Sequence, residues 1–230
     1  MATIRNVYDL IKKDAPQLLH KADNPNKHLH GFDLPFRMCI VAPSGSGKSN
    51  LLVNMIMLFC EGKGTFSKIN IVTRDKNEPL YDWIASKSAS IVISEGLSSL
   101  PKLDSKTYDK DTNSLLVIDD LVLSKDLSAI SEVYIRGRKL GISVVFISQS
   151  YFKIPTVIRQ NCSYLVLLRL SGVRDARLIL SELSLGVTKD QLMSLYEYAT
   201  DTKFSPLIVD LAAPKQTRFR KGFSEIIPVD

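Results

Sequence analysis

A chain of 230 residues, 45% of them apolar, can build one large domain with its own core and is too apolar to be a disordered or low-complexity protein. Its 30 lysines and arginines against 24 acids give a net charge of +6, which suits an anionic partner such as nucleic acid without demanding one. The three cysteines, Cys39, Cys60 and Cys162, lie in or beside apolar runs. With no C-x-x-C pair and no histidine cluster, that spacing argues against a disulfide framework or a zinc site, and for buried thiols in a reducing compartment.

Residues 1–35 read as an N-terminal arm. Val7 to Ile11 suits a short helix, and Asn24-Pro25-Asn26 is turn chemistry. His20, His28 and His30 have no acid or cysteine at ligand spacing, so an exposed arm is the expectation rather than a metal site. The first residues carry acids and no long apolar core, unlike a secretory signal, and no stretch approaches 18 uninterrupted apolar residues, so no membrane span is expected.

The strongest signal follows. An apolar run, Met38 to Ala42, feeds Pro43-Ser44-Gly45-Ser46-Gly47, then Lys48-Ser49-Asn50 and a helical apolar pattern. This is the strand, loop and helix of a phosphate-binding P-loop. Gly45 and Gly47 let successive backbone N–H groups turn inward on phosphate oxygens. Lys48 brings a compact positive charge to the outer phosphates, and the Ser49 hydroxyl suits Mg²⁺. The helix start adds its positive dipole end. Pro43 to Asn50 are thus the expected nucleotide-binding residues. Ala42 stands where the motif has its first glycine. The following helix is apolar nearly all round, through Leu51, Leu52, Met55, Ile56, Leu58 and Phe59, which predicts burial on more than one side.

Ile69 to Val72 reads as a short buried strand, Pro79 opens a helix through Tyr81, Trp83 and Ile84, and Ile91 to Ile93 reads as another strand. Residues 94–113 form a polar surface segment with a short helix between Asp104 and Asp109. Ser114 to Leu121 is the second strong signal: Leu115 to Ile118 form a buried strand ending in Asp119 and Asp120. After a P-loop this is a Walker B arrangement, with Asp119 for Mg²⁺ and Asp120 to orient and activate the attacking water. Asp126 to Lys139 reads as a helix with Leu127, Ile130, Val133, Tyr134 and Ile135 on its apolar face and Arg136, Arg138 and Lys139 at its end. Gly141 stops it. The apolar strand Ile142 to Ser148 ends in Gln149, whose amide suits a sensor of the γ-phosphate or the attacking water.

The run Arg138 to Ile142, the strand after it, Ser148-Gln149-Ser150, Ile154-Pro155, Asn161, Tyr164 to Leu168 and Gly172 to Leu180 together resemble the FtsK/HerA superfamily of DNA-pumping ATPases. The resemblance covers residues 36 to 185 and is nearest the genome-packaging ATPases of large DNA viruses and virophages, the poxvirus-like branch. It departs at Ala42 and at Asp120, where FtsK and HerA carry glutamate. The resemblance implies a ring-forming translocase, pentameric or hexameric. Its partners would be double-stranded DNA and a capsid vertex, its cofactors ATP and Mg²⁺, and its place the host-cell interior or the virion. It also implies an arginine supplied in trans to the γ-phosphoryl group. Arg177 matches that position, with Arg138, Arg136 and Arg159 as alternatives.

Helices are expected over Asp175 to Leu183 and Lys189 to Thr200, with Thr188 as an N-cap, and a last strand over Leu207 to Asp210. The tail, 212–230, interleaves Lys215, Arg218, Arg220 and Lys221 with Phe219 and Phe223, which suits phosphate contact with stacking, subunit docking, or a solvated basic tail. Ligand chemistry at three strand ends predicts a three-layer α/β domain of RecA-like (ASCE) type over 36–211, with a mainly parallel central sheet. The function expected is an ATP-hydrolysing double-stranded DNA translocase. The alternatives are a P-loop kinase and a nucleotide-dependent assembly protein.

Overall fold

Strand β1 (Arg37–Val41) carries apolar side chains on both faces, so it must be covered from both sides. Met38 and Ile40 face one layer, while Cys39 and Val41 face the other. The same alternation runs through β4 (Ser114–Asp119) and β5 (Ile142–Ser148), every residue of which is buried. The computed structural model describes residues 6–16, 22–100, 102–103, 111–121, 127–183 and 185–229. His20, the segment 104–109 and the start of the helix expected at Asp126 lie outside them.

The remaining strands are β2 (Lys68–Thr73), β3 (Ile91–Glu95), β6 (Tyr164–Leu167), β7 (Leu207–Asp210), β8 (Phe219–Lys221) and β9 (Glu225–Ile226). They form one sheet of order β3-β2-β4-β5-β1-β6-β7-β8-β9. Pairing is parallel from β3 to β6 and antiparallel from β6 to β9. One face is covered by α3 (Lys48–Phe59), α4 (Pro79–Ala85) and the residues around Phe32 and Phe36. The other is covered by α5 (Ser128–Arg136), α6 (Thr156–Gln160), α7 (Val173–Glu182) and α8 (Lys189–Ala199). That is the three-layer, mainly parallel architecture the alternating pattern predicts. Thr188 caps α8 in a full capping box with Gln191. Among the described residues, no helix is long and apolar enough to cross a membrane.

Two ends of the chain depart from expectation. Beyond α1 (Val7–Asp14) and the short α2 (Lys27–His30), the segment around Asn26, His30 and Phe32 is buried rather than an exposed arm. The Asn26 amide donates to Phe59 O at 3.1 Å and Glu61 O at 2.8 Å, satisfying carbonyls at the C-terminal end of α3. The basic tail is not solvated either. Phe219 and Arg220 are buried in β8. The Arg220 guanidinium donates to His30 O at 3.2 Å and Phe223 O at 3.1 Å and stacks 5.0 Å from the Phe32 ring centre. Gly31 admits it, because a side chain there would meet Arg220 Nη1 at 2.0 Å. Arg218 donates to the Ala213 and Leu185 carbonyls, and Lys221 pairs with Asp201 at 2.8 Å. These cations hold the sheet edge together, so they are not the free phosphate-binding row their spacing suggested. Of the cysteines, Cys60 is exposed, whereas the Cys39 and Cys162 thiols lie 2.8 Å apart.

His30 makes folding sensitive to acid. Its Nδ1 accepts from the Phe32 N–H at 3.0 Å and its Nε2 meets Asn24 Oδ1 at 3.2 Å, an arrangement that requires the neutral ring. Burial, and then the charge of Arg220, lower its pKa to about 4 from the ordinary 6.5. Between those values the unfolded chain binds the extra proton, so stability falls as pH drops through that window, by up to about 3 kcal/mol. Urea unfolding at pH 7 and pH 4.5 checks this: His30→Gln should lose less stability on acidification than the parent. Equal losses would show that another group carries the effect.

Candidate nucleotide-binding and hydrolysis site

The parallel register brings three strand ends to one edge. Val41 lies opposite Ser148 and Leu167, while Asp119 lies opposite Thr73 and Ile147. Lys48, Ser49, Asp119, Asp120 and Gln149, which the chain spreads over a hundred positions, therefore share the carboxyl edge of the sheet.

The loop after β1 is built as its sequence suggests. Ser46 closes a turn on Pro43, its N–H and hydroxyl both reaching the Pro43 carbonyl, at 3.2 and 2.7 Å. Gly47 caps α3 at φ 96°, a left-handed conformation that favours glycine. Ala42, the departure from the motif, is fully buried in the core, and its N–H donates to Ser148 O at 3.1 Å. It continues the strand without a positive φ, so nothing in its backbone requires glycine.

Asp119 is the most constrained acid of the site. It is only 5% exposed. Its Oδ2 accepts from the Tyr81 hydroxyl at 2.7 Å, while its Oδ1 is buried without a hydrogen-bond partner. Burial holds its pKa above the ordinary carboxylate value, although the Tyr81 hydrogen bond and the charge of Lys48 oppose part of that rise. Tyr81 is fully buried on α4, and burial together with the neighbouring carboxylate keeps its hydroxyl protonated. The sequence offers Tyr81 only as an apolar position on a helix; its hydrogen bond to Asp119 appears in three dimensions alone. An orphaned buried carboxylate oxygen fits a hydrated Mg²⁺, which takes oxygen ligands and retains waters.

Asp120 turns away from its neighbour. Its φ of 56° is left-handed, a region that aspartate tolerates better than most residues. Its N–H donates to Ile147 O at 3.3 Å. The Gln149 amide donates across to both Asp120 oxygens at 3.3 and 3.4 Å. The second acid and the strand-end amide thus touch directly.

The candidate arginines separate. Arg136 pairs with Glu132, and Arg159 pairs with Glu182 while stacking on Tyr151. Arg138 lines a cleft with Asp33, Arg37 and Asp210 at the opposite edge of the sheet. Arg177 is exposed on α7 and lines a cavity of about 510 Å³ with Arg174, Lys189 and Met193, and no residue of the P-loop lines that cavity.

A glycine-capped phosphate loop, a lysine, a half-satisfied buried acid and a second acid held by a glutamine define a P-loop ATPase of RecA-like fold. The family model described as Poxvirus A32 protein matches residues 27–210, and the chain belongs to that family. Among solved structures it is similar to the DNA-packaging ATPase B204 from Sulfolobus turreted icosahedral virus, at TM-score 0.59 and 15% identity over 86% of this chain and 100% of that one. The B204 packaging NTPase from Sulfolobus turreted icosahedral virus 2 with ATP-gammaS gives 0.55 and 17%, covering 85% and 100%. The cytoplasmic domain of the Thermomonospora curvata Type VII secretion ATPase EccC gives 0.54 and 18%, over 85% of this chain and 26% of that one. No curated protein matches the chain.

Proposed function

We propose that this protein is the motor that drives double-stranded DNA into a viral capsid, hydrolysing ATP as a homo-oligomeric ring of five or six subunits. The observation that carries the hydrolytic half is the contact between Asp120 and Gln149 beside the phosphate loop. The packaging half is supported by membership of the A32 family and by likeness to viral packaging NTPases. The place of action is the interior of the infected cell, where a capsid vertex would receive the ring.

Pro43 to Asn50 would wrap the triphosphate with backbone N–H groups, and Lys48 would hold its outer end. Ser49 and Asp119 would hold Mg²⁺, which when bound neutralises charge on the phosphate oxygens. Tyr81 fixes the Asp119 carboxylate so that its unpaired oxygen faces one direction. Asp120 would take the proton of the attacking water, and Gln149, bonded to that carboxylate, would report the state of the γ-phosphate to the chain that follows β5. Arg177 would reach the neighbouring subunit's nucleotide.

A motor of this kind contacts the DNA backbone without regard to sequence, so its ATPase rate should rise on adding double-stranded DNA of any sequence, and the rise should shrink as salt increases. A steady-state ATPase assay with and without DNA checks this. A rate indifferent to DNA would remove the translocase reading.

A further inference from the structure

One aromatic residue near the phosphate loop is not used by the chemistry above. Phe204 lies just before β7, in a turn closed by the Ser205 N–H on Thr202 O at 3.1 Å. Its φ is 70°, a costly backbone for a bulky side chain. Despite that, the residue is 41% exposed, so core packing does not hold it there. It rests on Gly47: a Cβ at that glycine would lie 2.2 Å from Phe204 Cδ1. The glycine that shapes the phosphate loop also makes room for this ring.

The ring borders two hollows. One, of about 460 Å³, lies between Gly45–Ser46 and the Thr200–Ser205 segment, with Arg169 on its wall. The other, of about 300 Å³, follows Asn50 and Asn54 along α3. The wall of the first is braced. The Tyr196 hydroxyl accepts from Leu170 N–H at 2.7 Å and donates to Leu168 O at 3.4 Å, and Arg169 donates to Thr200 O at 3.2 Å. The Lys203 ammonium stands over the ring, 4.9 Å from its centre, so a planar partner stacks on the face away from it or displaces it.

Strand order gives this location its meaning. The acids that face a γ-phosphate end β4, two places from β1 on one side, while Phe204 precedes β7, two places from β1 on the other. A triphosphate lying in the loop with its γ end toward Asp119 and Asp120 leaves its nucleoside on the Phe204 side. The geometry points to Phe204 as the stacking platform for the nucleobase of the bound triphosphate. This rests on the reading that the loop after β1 binds a nucleoside triphosphate. Base stacking on an aromatic ring needs no match of hydrogen-bonding edges.

The test is calorimetric titration of the full chain, with Mg²⁺ present, using ATP and inorganic tripolyphosphate as separate probes. Phe204→Ala should weaken ATP binding roughly ten- to hundredfold and leave tripolyphosphate within about twofold. Phe204→Tyr should retain ATP affinity. Phe204→Gly, which suits the positive φ, should fold at least as stably as the parent and still lose ATP affinity. Unchanged ATP affinity in Phe204→Ala would overturn the proposal, and so would an equal loss for both ligands, which would mean that the ring shapes the loop. Lys48→Ala tests the underlying reading separately: it should weaken both probes, and if it weakens neither, the phosphate site itself has been misassigned.

Discussion

Asp120→Asn is expected to bind ATP within a few-fold of the parent and to hydrolyse it about 10²- to 10⁴-fold more slowly. Asparagine keeps the shape of the side chain, still offers an oxygen to the Gln149 amide, and tolerates the left-handed backbone at this position. It cannot accept a proton from water at neutral pH. The substitution therefore separates geometry from proton transfer. Single-turnover hydrolysis alongside equilibrium binding makes the measurement, and turnover at the parental rate would remove Asp120 from the base role. Asp119→Asn should behave differently, because the orphaned oxygen there suits a cation rather than a proton. Its deficit should be in Mg²⁺-dependent binding.

The second large effect is expected from Arg177→Ala, with turnover lowered by about 10³- to 10⁵-fold if the guanidinium serves a neighbour's γ-phosphate. Internal ion pairs already engage Arg136 and Arg159, and Arg138 is at the far edge of the sheet. Arg177 stands exposed beside Arg174 on α7, close to the exposed apolar Val173 and Leu178, as a subunit contact would require. Mixing Arg177→Ala with Lys48→Ala protein is the decisive assay. Neither variant should work alone, but a mixed ring contains interfaces with an intact loop from one subunit and an intact arginine from the other. Recovered ATPase activity in the mixture is the expected result. No recovery at any ratio would place the arginine's contribution within its own subunit or remove it.

Much of this site was legible because its parts are contiguous in sequence. The phosphate loop follows directly on β1, the acids on β4 and the glutamine on β5, and each apolar run announces its strand. The parallel sheet then brings these ends together. Tyr81 and Phe204 were not legible, because each reaches the site from a different element and carries no local motif. In sequence, Tyr81 looks like packing and Phe204 like a loop residue. The terminal segments misled for another reason. His30 and Arg220 are polar residues in segments rich in charge and turn residues, which reads as surface, yet each is buried and the Arg220 side chain bonds the His30 carbonyl. Ala42 illustrates the reverse case: a departure from a motif that the backbone has no need to correct.

The burial of Arg220 changes how shortened versions of this protein should be read. Residues 220 and 221 connect two places: Arg220 holds the chain near His30 and Phe32, and the adjacent Lys221 holds Asp201, three residues from Phe204. A chain cut after Asp210 loses both fastenings at once. Such a truncation would weaken ATP handling through the loosened 200–205 segment, although it removes no residue of the phosphate loop. A DNA-stimulation defect in a tail deletion is therefore no evidence that the tail touches DNA.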